Sequence, residues 1–359
     1  MAVQSIDELK GDRAKVLGQM IEMGHEQVLF CQDPKTGLKA IIAIHNTVCG
    51  PALGGTRMWE YENEQTALYD VLRLSRGMTY KNSISGLNLG GGKAVIIGNS
   101  RRDKSKQLFK RFGQFVDSLN GKYITAEDVG ISPADMVYVA QETKHVAGLP
   151  GKSGDPSPVT AYGVYMGMKA ATKVHFGTES LANKKIAVQG VGHVGEYLVD
   201  HLTKEGAELF ISDIHEPTLQ HVAKKYGATV VGLDDIYDLD VDIYSPCALG
   251  ATINDESLKR LKCSVIAGSA NNQLEDEEAH GEMLRDRGMI YAPDYLINAG
   301  GVMNCYGEVA GLQREEVMKM AENIYATTLE IIQFSRAEGI PTYLAANRKA
   351  EKRIAELSA

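Results

Sequence analysis

The segment Ile186-Ala-Val-Gln-Gly-Val-Gly-His-Val-Gly195 limits the folds open to this chain more than any other stretch. Ile186 to Gln189 reads as a short apolar strand. It runs directly into Gly190, Gly192 and Gly195 in Gly-x-Gly-x-x-Gly spacing, with His193 and Val194 filling the last gap. A helix-like stretch, Glu196 to Lys204, follows, and a second strand, Glu208 to Ser212, ends at Asp213, 18 residues beyond the last glycine. The glycines permit a tight turn, close approach of a pyrophosphate and packing of helix on strand, while the helix N-terminus attracts phosphate charge. Asp213 stands where a carboxylate can hydrogen-bond an adenosine ribose. A glycine triplet alone is weak evidence. With a strand before it, a helix after it and an acid at the next strand end, it indicates a dinucleotide-binding fold. Strands expected at Asp242 to Tyr244, Ser264 to Ala267 and Met289 to Tyr291, with helical stretches between them, extend it into one doubly wound domain.

That domain cannot be the whole of a 359-residue chain, because single cores stop growing at about 250 to 300 residues. The texture shifts at Gly148-Leu-Pro-Gly-Lys-Ser-Gly-Asp-Pro-Ser-Pro158, dense in glycine and proline, which reads as a hinge or linker. The expected class is α/β with two domains. An N-terminal α/β domain with a mixed sheet takes 1–147 together with 333–359, and a Rossmann-type dinucleotide-binding domain takes 148–332. Gly151 to Ser153 ends like a phosphate loop, but the first glycine of that motif is missing and no strand precedes it.

Composition narrows the partners. The net charge of -8 and the lack of a basic stripe interleaved with aromatics argue against nucleic acid, and no apolar run approaches a membrane span. Small molecules are the expected partners. Five scattered cysteines fit reduced thiols in a cytoplasmic protein rather than a disulfide framework, no signal peptide is expected, and the nine histidines form no metal-ligand pattern.

In the N-terminal half, residues 6 to 23 carry apolar positions at helical spacing (Ile6, Leu9, Val16, Met20). Val28 to Cys31 and Lys39 to Asn46 form a hairpin around Asp33 to Gly37. Pro51 to Arg57 reads as a glycine-rich loop, Thr66 to Arg76 as a helix, Leu108 to Leu119 as an amphipathic helix, and Lys122 to Thr125 as a short strand. Between the helices Thr66 to Arg76 and Leu108 to Leu119 lies Gly77 to Ile97 with two lysines, Lys81 and Lys93. Lys93 follows three glycines and precedes an apolar run, so its ammonium stands at the mouth of a buried strand, placed to meet an anion or lose a proton. A turn followed by a surface lysine is the alternative. Asp128, at a strand end before Gly130, is a candidate acid or base, with a loop cap as the alternative. Ser132-Pro133 opens a helix. Near the C-terminus, Pro293-Asp-Tyr-Leu-Ile-Asn-Ala-Gly-Gly-Val302 is either a ligand-facing loop opening a helix or a cap with glycine packing. Glu315 to Arg336 reads as one long helix, and the tail after Pro341 as a final one.

Five ordered motifs carry a resemblance that covers nearly the whole chain: Gly50-Pro-Ala-Leu-Gly-Gly-Thr-Arg-Met-Trp59, Gly77-Met-Thr-Tyr-Lys-Asn82, Leu87-Asn-Leu-Gly-Gly-Gly-Lys93, Thr125-Ala-Glu-Asp-Val-Gly130 and Asn298-Ala-Gly-Gly-Val302. They resemble the glutamate/leucine/phenylalanine/valine family of amino-acid dehydrogenases, the leucine-type members most of all. The resemblance implies reversible NAD-dependent oxidative deamination of an L-amino acid to a 2-oxo acid and ammonia, in a homo-oligomer, often an octamer. By position, Lys81 then binds the substrate carboxylate, Lys93 acts as general base through a water, and Asp128 shuttles protons. A lysine buried beside another cation has a lowered pKa, which suits that task. Thr160, Pro246 and Asn272 are implied to lie along the nicotinamide half of the cofactor, in a cleft that closes during turnover.

The same resemblance lines the side-chain pocket with Leu53, Gly54, Met78, Ala126, Val302 and Cys305, a set without formal charge. Glutamate-specific relatives place a lysine at the position of Leu53 and a serine at that of Cys305. Branched-chain substrates are therefore expected, leucine first with valine and isoleucine, and a valine or phenylalanine dehydrogenase is the alternative. One departure is visible: after Asn304 the chain reads Cys305-Tyr-Gly-Glu where leucine-type members usually have an aliphatic residue and then Ala-Asp-Glu.

Overall fold

The computed structural model describes residues 15–152 and 154–358; Ile6 and Leu9 of the first expected helix lie outside them. Contacts divide the chain into two compact units. The first takes Met1–Gly154, Glu308–Ala310 and Ala350–Ala359, and the second Asp155–Gly307 and Gly311–Lys349.

The first unit opens with α1 (Val16–Met23), which ends at Gly24 in the left-handed region. The hairpin β1 (Gln27–Asp33) and β2 (Leu38–Asn46) follows in antiparallel register, Gln27 opposite Ile44. Then come β3 (Ala52–Trp59), α2 (Glu64–Ile84), β4 (Gly90–Ile97), α3 (Lys106–Ser118), β5 (Tyr123–Glu127) and the short α4 (Pro133–Val139). The sheet order is β1-β2-β4-β3-β5, antiparallel from β1 to β4 and parallel from β4 to β5. It is mixed, as expected. One face carries Phe109, Phe112, Val116 and Met136 of α3 and α4 over Ile42, Ala94, Ile96 and Tyr123; the other carries Leu68, Val71 and Leu72 of α2 over Ile41, Ala43 and Val95. Burying each large apolar side chain stabilises this packing by about 1.5 to 3 kcal/mol. Side-chain caps fix the helix starts: Asn63 and Thr66 form a capping box on α2, Ser105 caps α3, and Ser132 with Asp135 boxes α4.

Two sequence expectations fail here for one reason. Ala52 to Arg57, all but the first residue of the expected loop, belong to β3, and Gly90 to Gly92 are not a turn before a strand but the start of β4. The glycines in both make room for protein atoms. A Cβ on Gly54 would stand 1.8 Å from the carbonyl oxygen of Gly92, and one on Gly91 would stand 2.1 Å from the Thr79 amide nitrogen. Close packing in a five-stranded sheet overrides the low strand propensity of glycine.

The second unit begins with α5 (Ser157–Phe176). It continues through β6 (Lys185–Gln189), α6 (His193–Glu205), β7 (Glu208–Ser212), α7 (Glu216–Tyr226), β8 (Thr229–Val230), β9 (Ile243–Pro246), α8 (Asp255–Arg260), β10 (Val265–Ile266), α9 (Glu277–Asp286) and β11 (Ile290–Tyr291). The sheet is parallel throughout, in the order β11-β10-β9-β6-β7-β8, the doubly wound arrangement expected of the glycine motif. The edge strand β8 was not legible, because two exposed residues carry no periodicity. α10 (Asp294–Ile297) and α11 (Gly300–Ala310) come next. The single helix expected over Glu315 to Arg336 is two, α12 (Arg314–Glu322) and α13 (Ile324–Glu338), parted at Asn323, whose N–H bonds to the carbonyls of Lys319 and Ala321. α14 (Thr342–Ser358) ends the chain.

Candidate active site

Period-two alternation along β4 puts Gly91, Lys93 and Val95 on the face covered by α2. With no side chain at Gly91, α2 closes onto the strand, and Lys93 is left 6% exposed. A solvated surface lysine is thereby ruled out. Asp128 follows the end of β5, and its Oδ2 takes Lys93 Nζ at 3.2 Å and Arg57 Nε at 3.0 Å. The Asp128 side chain is not a cap; Ser132 and Asp135 fill that role for α4. Arg57, on β3, reaches Asp70 Oδ2 on α2 with a second nitrogen at 3.0 Å, and the Tyr61 hydroxyl donates to the same oxygen at 2.7 Å.

Burial pushes the Lys93 ammonium below its usual pKa and the Arg57 cation adds to the push; the Asp128 charge opposes both without cancelling them. For Asp128, burial alone would raise the carboxyl, but the Lys93 and Arg57 cations outweigh it and hold the group below the usual carboxylate range. The result is a buried lysine disposed to give up its proton beside an aspartate disposed to stay ionised.

Lys81 is half-buried in the last turn of α2, one turn beyond Met78. The loop after that helix is held from both ends. Asn82 Nδ2 donates to the carbonyl of Gly90 at 2.6 Å, and Arg353 donates to the carbonyls of Ser83 and Leu87 at 3.3 and 2.7 Å. Leu53, opposite Gly91 and Ile124, is buried in β3; Gly54 stands against Met78, and Ala126 is opposite Gly55. Lys81, Met78, Leu53, Gly54, Ala126, Lys93 and Asp128 all belong to the first unit. Val302 and Cys305 lie on α11 in the second.

The second unit builds its site from backbone. Gly190 adopts φ +100, and a Cβ there would stand 2.7 Å from Ala248. A Cβ on Gly195 would stand 2.2 Å from the carbonyl of Gly190, so the third glycine of the motif seats α6 on the β6 turn. Gly192 faces open space and caps α6, whose first turn carries His193 and Val194. Asp213 accepts the amides of Val191 and His215, both at 2.8 Å, and lines a cavity of about 490 Å³ with Gly192, His193 and Thr218. An open glycine at a helix start and a backbone-anchored carboxylate at the next strand end fit a dinucleotide, with the phosphates at the helix and the ribose at Asp213. Pro246 closes β9, and Gly268 packs against it. Asn272 holds φ +51; its neighbour Asn271 accepts from Asn298 at 2.8 Å. Thr160, in the first turn of α5, stands by Gly301, and a Cβ on Gly300 would meet the Val159 carbonyl at 2.4 Å. The Pro293 to Val302 stretch is therefore helical with tight glycine packing.

The sequence reading missed Arg57, Asp70 and Tyr61. A charged residue inside an otherwise small and apolar strand was the available signal for Arg57; the spacing to Asp70 carries none.

A chain with a dinucleotide crevice in one unit and a buried lysine–aspartate centre in the other has the parts of an oxidoreductase that moves hydride. Comparison with known proteins narrows the class. Residues 25–145 match the model of the Glu/Leu/Phe/Val dehydrogenase dimerisation domain, and residues 151–215 and 211–359 that of Glutamate/Leucine/Phenylalanine/Valine dehydrogenase. The chain is 56% identical to leucine dehydrogenase of Bacillus subtilis (strain 168) over 93% of both chains, and 50% identical to L-tryptophan dehydrogenase of Nostoc punctiforme over 93% of this chain and 94% of that one. The crystal structure of L-tryptophan dehydrogenase from Nostoc punctiforme superposes with a TM-score of 0.87 at 47% identity, covering 96% of this chain and all of that one. The protein belongs to the Glu/Leu/Phe/Val dehydrogenase family and is an amino-acid dehydrogenase, with the nicotinamide cofactor that this family and fold imply.

Proposed function

We propose that the protein catalyses reversible NAD-dependent oxidative deamination of branched-chain L-amino acids, leucine first with valine and isoleucine, to 2-oxo acids and ammonia. The observation that carries the reading is the buried Lys93–Asp128 pair at 3.2 Å. Lys81 holds the substrate carboxylate, orienting the alpha hydrogen. A nicotinamide held in the second unit would supply the acceptor for the alpha hydrogen as hydride. Lys93, disposed to be neutral, takes a proton from the water that adds to the resulting iminium carbon. Asp128, ionised at the outset, takes the hydroxyl proton of that adduct as the carbonyl forms and hands it to the amino nitrogen, so the carbon–nitrogen bond breaks as ammonia leaves. Gly190, Gly192, His193, Val194, Gly195 and Asp213 hold the adenosine and phosphates; Thr160, Pro246 and Asn272 hold the nicotinamide side.

Asp213 supports NAD over NADP. The cavity it lines holds neither lysine nor arginine to meet a 2'-phosphate, and its own carboxylate would repel one. Leu53, Gly54, Met78 and Ala126 offer a second substrate carboxylate no cation, a loss of several kcal/mol for glutamate. An aromatic substrate is the second reading, supported by the 50% identity to a tryptophan dehydrogenase. A homo-oligomer, an octamer by the family pattern, is part of the proposal, as is a cytoplasmic location; among the described residues no helix is long and apolar enough to cross a membrane.

One panel tests the reading: kcat/KM for leucine, isoleucine, valine, phenylalanine, tryptophan and glutamate, each with NAD and NADP at alkaline pH. Leucine with NAD is expected to lead, valine and isoleucine to follow within about 10- to 200-fold, and glutamate to be orders of magnitude slower. A lead for tryptophan or phenylalanine establishes the second reading, and equal use of NADP removes the role given to Asp213.

A further inference from the structure

We infer that Arg57 is a positioning residue for the reaction: it clamps Oδ2 of Asp128, the oxygen that Lys93 also binds, and so presents Oδ1 to the substrate. This rests on the roles proposed above for Lys93 and Asp128. Both cations approach the same oxygen, Arg57 Nε at 3.0 Å and Lys93 Nζ at 3.2 Å, and Oδ1 takes neither. A carboxylate used as a proton shuttle needs one oxygen fixed and one open.

Arg57 can do this because it is held at its other end. Its second nitrogen meets Asp70 Oδ2 at 3.0 Å; Tyr61 donates to that oxygen at 2.7 Å, and Arg73 binds Asp70 Oδ1 at 3.0 Å. A planar guanidinium with fixed donors can bridge two carboxylates in one geometry, which an ammonium cannot. The outer end of the network, Arg57, Tyr61 and Asp70, opens to a cavity of about 380 Å³ that Trp59 and Val129 complete, while Lys93 at the inner end is dry. Beyond position, the Arg57 charge works on both reacting groups, disfavouring the Lys93 ammonium and favouring the Asp128 carboxylate. The charged and titratable groups that meet the pair and its network are Arg57 on β3, Asp70 and Arg73 on α2, Tyr61 before that helix, and Tyr123 on β5. Among these, Asp70 acts on Lys93 in the opposite sense to Arg57.

The test is the pH profile of kcat/KM for leucine with NAD, on the full chain. Arg57→Gln removes a cation beside Lys93, so the rising limb is expected to move to higher pH by about half a unit or more, with cofactor affinity unchanged. Arg57→Lys keeps a charge but loses the fork, so the limb is expected to stay while kcat falls about tenfold. A purely structural Arg57 would lower amplitude in both without moving the limb. An unmoved limb in folded, cofactor-binding Arg57→Gln overturns the inference. Should Arg57→Gln fail to fold, Asp70→Asn decides. Losing an anion near Lys93 and the anchor of Arg57 is expected to move the limb to lower pH and cut kcat about fivefold. An unchanged limb and kcat there overturn the inference equally. A parent protein that oxidises no amino acid brings down the proposed function; an active parent with unmoved variants brings down only Arg57.

Discussion

The two units bury polarity in opposite ways. In the second, the crevice that fits a dinucleotide is set by backbone: Gly192 open at a helix start, Gly190 at φ +100, and Asp213 tied to the amides of Val191 and His215. In the first, side chains from separate elements meet on one sheet face, dry at its inner end: Lys93 from β4, Arg57 from β3, Asp70 from α2 and Asp128 after β5. Backbone presents a fixed partial charge that needs no tuning, whereas an acid and a base must be tuned by burial and neighbouring charge. Glycine follows the same division. At Gly192 its missing side chain leaves space for a ligand, while at Gly91 that space is already filled by Thr79.

The largest expected effect separates chemistry from binding. Lys93→Ala and Asp128→Asn should each lower turnover by about 10²-fold or more, with NAD affinity near that of the parent. Turnover and a cofactor titration followed by fluorescence check it; near-normal turnover in either variant sinks the mechanism.

The glycine contrast is sharpened by one methyl group in each unit. Gly91→Ala would set a Cβ 2.1 Å from the Thr79 amide, so about 3 kcal/mol of stability should be lost. Gly192→Ala meets nothing within 4 Å, so stability should change by less than about 0.5 kcal/mol while cofactor affinity drops. Urea denaturation with and without cofactor reads both; equal destabilisation would erase the contrast.

A smaller effect concerns the first unit alone. His25 and His45 pack edge to face behind Thr79, His45 Nδ1 at 2.8 Å from the Thr79 hydroxyl. Burial is the main cause that pushes His25 down to about 3 and His45 to about 4. Both folded values lie below the unfolded value of 6.5, so the unfolded chain binds more protons as pH falls. The stability they contribute is full above pH 6.5 and is lost on acidification toward pH 4 to 3, by about 1.4 kcal/mol per group at pH 5.5. Urea midpoints between pH 7.5 and 5.5 should fall accordingly, and less steeply in His25→Gln; a parallel fall in both would assign the loss to other groups.

What the sequence determined by itself is the part whose information is local. A strand, three glycines, a helix and an acid within 28 residues define the Rossmann-type unit, because each feature constrains the backbone next to it. The hairpin of β1 and β2 and the cap at Ser132 are legible for the same reason. Only the tertiary structure decided that Ala52 to Trp59 is an interior strand, because its glycines are used by carbonyls distant in sequence. It also decided that Lys93 is dry and that Arg57 and Asp70 belong to the centre, 36 and 23 positions away from that lysine. The pKa of a buried group depends on the charges around it and the water excluded from it, and those are set by packing between elements rather than by the residues beside it in the chain.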